Sequence, residues 1–97
     1  MAQVRLSARA FADLERIFEF IADRDPARAL QTVQRIREAV MILERHPLIG
    51  RPVEEGRREL VMAHGRGTYV ALYRWFPAEE GVLVLAVRHG CEAGHED

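Results

Sequence analysis

The apolar positions change period along the first half of the chain. Val4 and Leu6 alternate with Gln3 and Arg5, the two-residue repeat of a short strand over residues 3–6. From Ala10 the repeat lengthens. Ala10, Leu14, Ile17 and Ile21 fall on one stripe of a helix running to about Asp23, with Phe11 and Phe18 beside it. Ser7 stands where a helix N-cap belongs. Asp13, Glu15, Arg16, Glu19 and Arg24 are expected mostly on the opposite, solvated side. Asp25-Pro26 opens a second helix, because Asp25 can cap and Pro26 fits the first helical position, where its missing N–H costs nothing. Ala29, Val33, Ile36, Val40 and Leu43 then form its inward face. The helix ends before His46-Pro47, since a residue preceding proline disfavours helical backbone. So short a link makes the two helices an antiparallel hairpin.

Beyond Pro47 the pattern changes again. Pro47, Gly50, Pro52 and Gly56 mark residues 47–56 as an ordered loop. Residues 59–63 read as a short strand, and His64-Gly65-Arg66-Gly67 as a turn. Residues 68–76 alternate Tyr69, Ala71, Tyr73 and Trp75 on one face with Val70, Leu72, Arg74 and Phe76 on the other. A turn follows at 77–81. Residues 82–87 are apolar on both faces, the pattern of a central strand buried on both sides. The tail from His89 is polar. The order is β-α-α-β-β-β, an α+β fold in which a helical hairpin packs on one face of a small, mostly antiparallel sheet. With 97 residues the chain supports a single domain over 1–97, and too little chain remains to cover the other sheet face fully.

Composition narrows the class. A hydrophobic share of 48% against 30% charged is a globular balance and excludes a disordered chain. No apolar run has the length of a membrane span, and the N-terminus lacks the apolar stretch of a signal peptide. Cys91 is the only cysteine, so no intrachain disulfide forms. A cytoplasmic protein without a membrane partner is expected. The net charge of −1 gives no bulk affinity for nucleic acid. The charges are segregated, however. Arg51, Arg57, Arg58, Arg66 and Arg74 make the middle basic, whereas Glu79, Glu80, Glu92, Glu96 and Asp97 make the C-terminal part acidic. All 14 residues in the Lys+Arg total are arginine. Planar bidentate donors suit carboxylates or phosphates, and an arginine-favouring codon usage accounts for the same bias. Either way, lysine-based chemistry is excluded.

A set of anchors in this order resembles the RelE/ParE superfamily of type II toxins. They are Val4-Arg5-Leu6-Ser7 with Ala10 and Asp13-Leu14; Pro26-Ala27-Arg28-Ala29; and Leu43 with Pro47-Leu48-Ile49-Gly50-Arg51-Pro52. Arg58-Glu59-Leu60, Tyr69-Val70-Ala71-Leu72-Tyr73-Arg74 and the run from Val82 to Arg88-His89 complete them, so the resemblance spans about Gln3 to His89. It implies a toxin neutralised by a cognate antitoxin, ParD-like or RelB-like. It also implies one of two activities. ParE-like members inhibit DNA gyrase. RelE-like members are ribosome-dependent endoribonucleases that cut messenger RNA.

RNA cleavage needs a base for the 2′-OH, an acid for the leaving oxygen and cations for the phosphate. In a RelE-like reading these fall to His89, Arg88, Arg74 and Arg66, with His89 suited to proton transfer. The tail favours the other branch. His89-Gly90-Cys91-Glu92-Ala93-Gly94-His95 is similar to the run ending the last strand of one ParE-like group, where arginine and tyrosine are usual in place of Cys91 and His95. The reading is therefore a gyrase inhibitor, with no catalytic residue assigned. Arg57, Arg58, Arg74 and Arg88 are its candidate partner-binding cations, or else serve local structure. Phe20, Leu30, Met41 and Ile42 lie off the helical stripes, where they either widen the core or dock an antitoxin helix. An exposed sheet edge could accept an antitoxin strand. No cofactor is implied. Cys91, His89 and His95 match no strong zinc spacing, and no metal is assigned.

Overall fold

A computed structural model of the chain describes residues 1–64 and 67–90. Strand β1, Gln3–Leu6, leads into helix α1, Ala8–Ala22. The Ser7 hydroxyl accepts the Ala10 N–H at 3.0 Å and so caps α1 as its position in the sequence implies. Residues 23–25 turn the chain into helix α2, Pro26–Val40, which begins on Pro26 with the Asp25 carboxylate accepting the Arg28 N–H at 3.1 Å. α2 stops sooner than the apolar pattern alone implies. Its last turn tightens into a 3₁₀ turn over Met41–Glu44 ahead of Pro47.

Four further strands follow: β2, Arg51–Pro52; β3, Arg57–His64; β4, Gly67–Phe76; and β5, Gly81–His89. They form one sheet in the order β1-β5-β4-β3-β2. All neighbours are antiparallel except β1 and β5, which are parallel because the helical hairpin carries the chain between them. The two-residue β2 lies inside what the sequence marks as loop. β3 is longer than residues 59–63, since its pairing with β4 begins at Arg57 opposite Arg74.

α1 and α2 pack together and lie on one side of the sheet. The core joins Ala10, Leu14, Ile17 and Ile21 of α1 and Ala29, Ile36 and Val40 of α2 to Tyr69, Ala71 and Tyr73 of β4 and Val82, Val84 and Val87 of β5. Three expectations need correction. Thr32, not Val33, is the buried residue between Ala29 and Ile36; Val33 faces the groove between the helices. Asp13 is buried, not on the solvated side. β5 is not buried on both faces: Leu83 and Leu85 are only half-buried, because no helix among the described residues covers their side of the sheet.

A bulge sets which way the end of β5 faces. Tyr73 opposes Val84, but Leu72 opposes Ala86, so Leu85 is an extra residue on β5. Val82 and Val84 face the helices before the bulge, and Val87 and His89 do so after it. Without the extra residue Arg88 would turn into the core. Asp13 secures this segment. β1 ends at Leu6, leaving the β5 edge unpaired beyond Val84, and α1 supplies the missing partners. The Ser7 hydroxyl donates to the Leu85 carbonyl at 3.0 Å, and the Asp13 carboxylate accepts the Val87 N–H at 2.9 Å. Arg16 holds the same carboxylate at 2.9 Å. A buried carboxylate is tolerated here because it is charge-paired and replaces a strand partner.

Candidate functional site

No helix among the described residues packs on the sheet face away from α1 and α2, and alternation along the strands decides what stands on it. β3 places Arg57, Glu59 and Val61 there. β4 adds Val70, Leu72, Arg74 and Phe76, and β5 adds Leu83 and Arg88. Arg5 of β1, opposite Leu83, and Arg51 of β2, opposite Glu59, extend the same face to both sheet margins. The result is an apolar floor ringed by guanidinium groups, with Glu59 as its innermost carboxylate.

Four of these arginines, Arg51, Arg57, Arg74 and Arg88, have definite partners. Arg51 donates to the Glu59 Oε1 from Nη2 at 2.7 Å and from Nε at 3.2 Å, two donors converging on one oxygen. Arg88 lies 3.9 Å from the other Glu59 oxygen. The Glu59 side chain is only 15% exposed, whereas Arg51 is 74% exposed. Arg57 donates to the Glu54 carbonyl at 3.1 Å and pairs with the Glu55 carboxylate at 3.4 Å. Arg74 donates to the Glu55 carbonyl at 2.6 Å. These two arginines brace a turn in which Glu55 and Gly56 both take left-handed backbone, with φ of 63° and 73°. Glu55 adopts that conformation at a cost, since it carries a Cβ.

Arg58 belongs elsewhere. It follows Arg57, so its side chain emerges on the helix side of the sheet. There it donates to the carbonyls of Leu48 at 3.1 Å and Gly50 at 2.7 Å. Tyr73, fully buried, accepts the Gly50 N–H at 2.9 Å and donates to the Pro47 carbonyl at 2.8 Å. Arg58 and Tyr73 thus clamp residues 47–50 against the sheet. Gly50 is required for the approach, because a Cβ would sit 2.7 Å from the Glu59 carbonyl and from two atoms of the Tyr73 side chain.

The structure therefore sorts the candidates that the sequence groups together. Arg57, Arg74 and Arg88 share the open face; Arg58 does not. Arg74 bonds a main-chain carbonyl. His89 points to the helix side, edge-on to Tyr69 with ring centroids 5.1 Å apart, and the sheet separates it from Arg74 and Arg88. Arg66 lies outside the described residues. So do Cys91, Glu92, Ala93, Gly94 and His95, and with them the tail similarity and the zinc spacing. Among the described residues no cluster of His, Cys, Asp or Glu could hold a metal ion, and no helix is long and apolar enough to cross a membrane. Sequence reasoning missed Arg51 and Glu59 as members of the face. Their signal was present as Arg51-Pro52, a strand-compatible pair, but β2 is too short to register as a periodicity.

A second surface lies between the helices. Phe11, Phe18 and Val33 line a groove floored by Leu14, with Glu15, Glu19 and Arg37 at its rim. Phe20, Leu30, Met41 and Ile42 are all exposed, so they do not widen the core. Phe20 and Leu30 lie outside this groove, and Met41 borders a separate depression with Val4, Leu6 and Val40. The groove residues Phe11 and Phe18 stand one position from the buried stripe, which hid their exposure from a count of apolar spacing.

Two helices packed against a five-stranded mixed sheet match the fold of RelE/ParE toxin structures. Residues 4–94 match the family described as ParE toxin of type II toxin-antitoxin system, parDE, and the chain belongs to that family. Toxin RelE3 of Caulobacter vibrioides is 30% identical over 92 residues, covering 95% of this chain and 98% of the relative. The solved chromosomal ParDE system from P. aeruginosa has a chain with a TM-score of 0.77 at 28% identity, covering 92% of this chain and 96% of that one. A chain of the RelBE2 toxin–antitoxin complex from Mycobacterium tuberculosis has a TM-score of 0.66, also at 28% identity, covering 91% and 96%.

Proposed function

We propose that this toxin is a ParE-like inhibitor of DNA gyrase, neutralised by a cognate antitoxin of the ParD type. The observation that carries the reading is the division of groups across the sheet. Cleavage of RNA requires a proton-transfer group and phosphate-holding cations around one scissile bond. Here His89 lies on the helix side, while Arg74 and Arg88 lie on the open side. Among the described strand residues the open face holds no histidine, and its inner carboxylate, Glu59, is already engaged by Arg51 and Arg88, which supports binding over cutting. The match to the ParE family and the likeness to a ParDE toxin support the same branch.

The test is a supercoiling assay with purified gyrase and purified toxin. Inhibition, or accumulation of cleaved DNA, relieved by the antitoxin is the expected result. Full supercoiling at a large excess of folded toxin removes the reading.

The likeness to relatives bearing RelE names favours a second reading, a ribosome-dependent endoribonuclease acting on messenger RNA. It requires that transcripts be cut during growth arrest and that His89→Ala or Arg88→Ala abolish the cutting. For the antitoxin, the apolar groove of Phe11, Phe18 and Val33 suits the non-polar side of an amphipathic helix. Phe20 and Leu30 of the helices and Met41 and Ile42 of the following 3₁₀ turn are further exposed apolar residues outside that groove.

A further inference from the structure

The open face carries arginine in excess of carboxylate, yet the carboxylate nearest its centre is held by two of those arginines. Glu59 has Arg51 on one oxygen and Arg88 near the other. The remaining arginines are occupied differently. Arg57 and Arg74 are tied to main-chain carbonyls of the turn at 54–55. Arg51, largely solvent-exposed, is held by nothing but Glu59 among the described contacts. A half-exposed ion pair of this kind contributes little to folding. Its geometry nevertheless keeps two guanidinium groups aimed at a single carboxylate-sized position.

We propose that Glu59 is an internal stand-in for a carboxylate of the protein target, and that target binding on the open face displaces it from Arg51 and Arg88. This deepens the gyrase-inhibitor reading and rests on it for the identity of the target. The chemistry recognised is an acidic protein surface with apolar residues between its carboxylates. The side chains between the arginines argue for protein over nucleic acid. Val61 is 60% exposed, and Leu72 and Leu83, elsewhere on the same face, are half-buried. These aliphatic groups cannot stack on bases, the contact that single-stranded nucleic acid favours, and the one ring among the described residues of the face, Phe76, stands at the far end of β4 opposite Gly81. Arginine set around an apolar patch is instead a common composition of protein interfaces. Glu59 also discriminates, because it leaves the face closed to partners that offer no competing anion.

The experiment measures fluorescence anisotropy of two labelled probes on the full chain: a ten-residue peptide of alternating aspartate and leucine, and a ten-nucleotide single-stranded RNA. Glu59→Gln keeps the side chain's shape and removes its charge. It is expected to tighten peptide binding about fivefold, the return from releasing one half-exposed ion pair. The gain should vanish in an Arg51→Ala/Arg88→Ala background, because the effect acts through those two residues. Thermal melting of each variant checks that it is folded. Unchanged or weaker peptide binding by Glu59→Gln overturns the proposal, as does a larger gain for RNA than for peptide. The same variants are then titrated against gyrase supercoiling. A wild-type toxin that leaves gyrase unaffected while Glu59→Gln gains peptide affinity removes the choice of target and keeps the stand-in role. A toxin that inhibits gyrase with equal potency in Glu59→Gln removes the stand-in role and keeps the target.

Discussion

Arg57 and Arg58 are consecutive in the chain and have unrelated surroundings. Arg58 lies on the helix side, where its guanidinium and the buried Tyr73 hydroxyl satisfy main-chain groups of residues 47–50. Arg57 lies on the open side, where it braces a strained turn and pairs with the exposed Glu55. The same contrast holds for the two faces as wholes. On the helix side Asp13, Arg58 and Tyr73 bond main-chain groups, as Asp13 does the Val87 N–H. On the open side the polar groups are many, charged and half-solvated, and they pair mostly with one another. Polar groups of the first kind hold the fold together, because leaving a buried partner unsatisfied is costly. Groups of the second kind can be exchanged for those of a partner at small cost to stability.

That contrast breaks most clearly at Gly50. Gly50→Val should cost about 3 kcal/mol, since the new side chain meets main chain and the Tyr73 ring inside a packed site. A thermal melt should show the loss, at about 4–8 °C per kcal/mol for a domain of this size. Tyr73→Phe removes one hydroxyl and orphans the Gly50 N–H and the Pro47 carbonyl, for a loss of about 2 kcal/mol in chemical denaturation. Asp13→Ala should fall in the same range, and it should also raise hydrogen exchange at the Val87 amide. Glu55→Gly has the opposite sign. It relieves a left-handed residue and should stabilise by up to about 1 kcal/mol. Arg51→Ala, on the open face, should change stability by no more than about 0.5 kcal/mol. A loss at Arg51 as large as that at Tyr73 would erase the distinction between the two faces.

How much of this was legible in the sequence follows from where period and chemistry agree. The capped starts of both helices could be read directly, because Ser7 and Asp25-Pro26 are local signals with local causes. The stripe of α1 could be read as well. In α2 the spacing from Ala29 to Ile36 accommodates either Thr32 or Val33, and hydropathy alone favours the wrong one. Thr32 is buried because the helix axis, not the side chain's polarity, points it at the core. The facing of Arg88 and His89 was not legible. The run from Val82 to Val87 is apolar at every position, so it carries no parity, and nothing in it announces the extra residue at Leu85. Asp13 was misread for a related reason. Its partner is a backbone N–H at a sequence separation of 74, which no local pattern encodes. The open face itself was foreseen as a shortage of chain to cover it. Its central contact, Glu59 between Arg51 and Arg88, depends on four strands, β2 to β5, meeting in register.

The division of labour between the two faces can be measured with one pair of blocking labels. In a Cys91→Ser background, Val61→Cys places a thiol on the open face and Phe11→Cys places one in the helix groove. Each is coupled to a bulky maleimide, and each labelled toxin is assayed for inhibition of gyrase supercoiling and for binding to its antitoxin. Separate surfaces for target and antitoxin predict that the label at position 61 abolishes inhibition and that the label at position 11 weakens antitoxin binding while leaving inhibition intact. Inhibition that survives the label at 61 and disappears with the label at 11 would contradict the account.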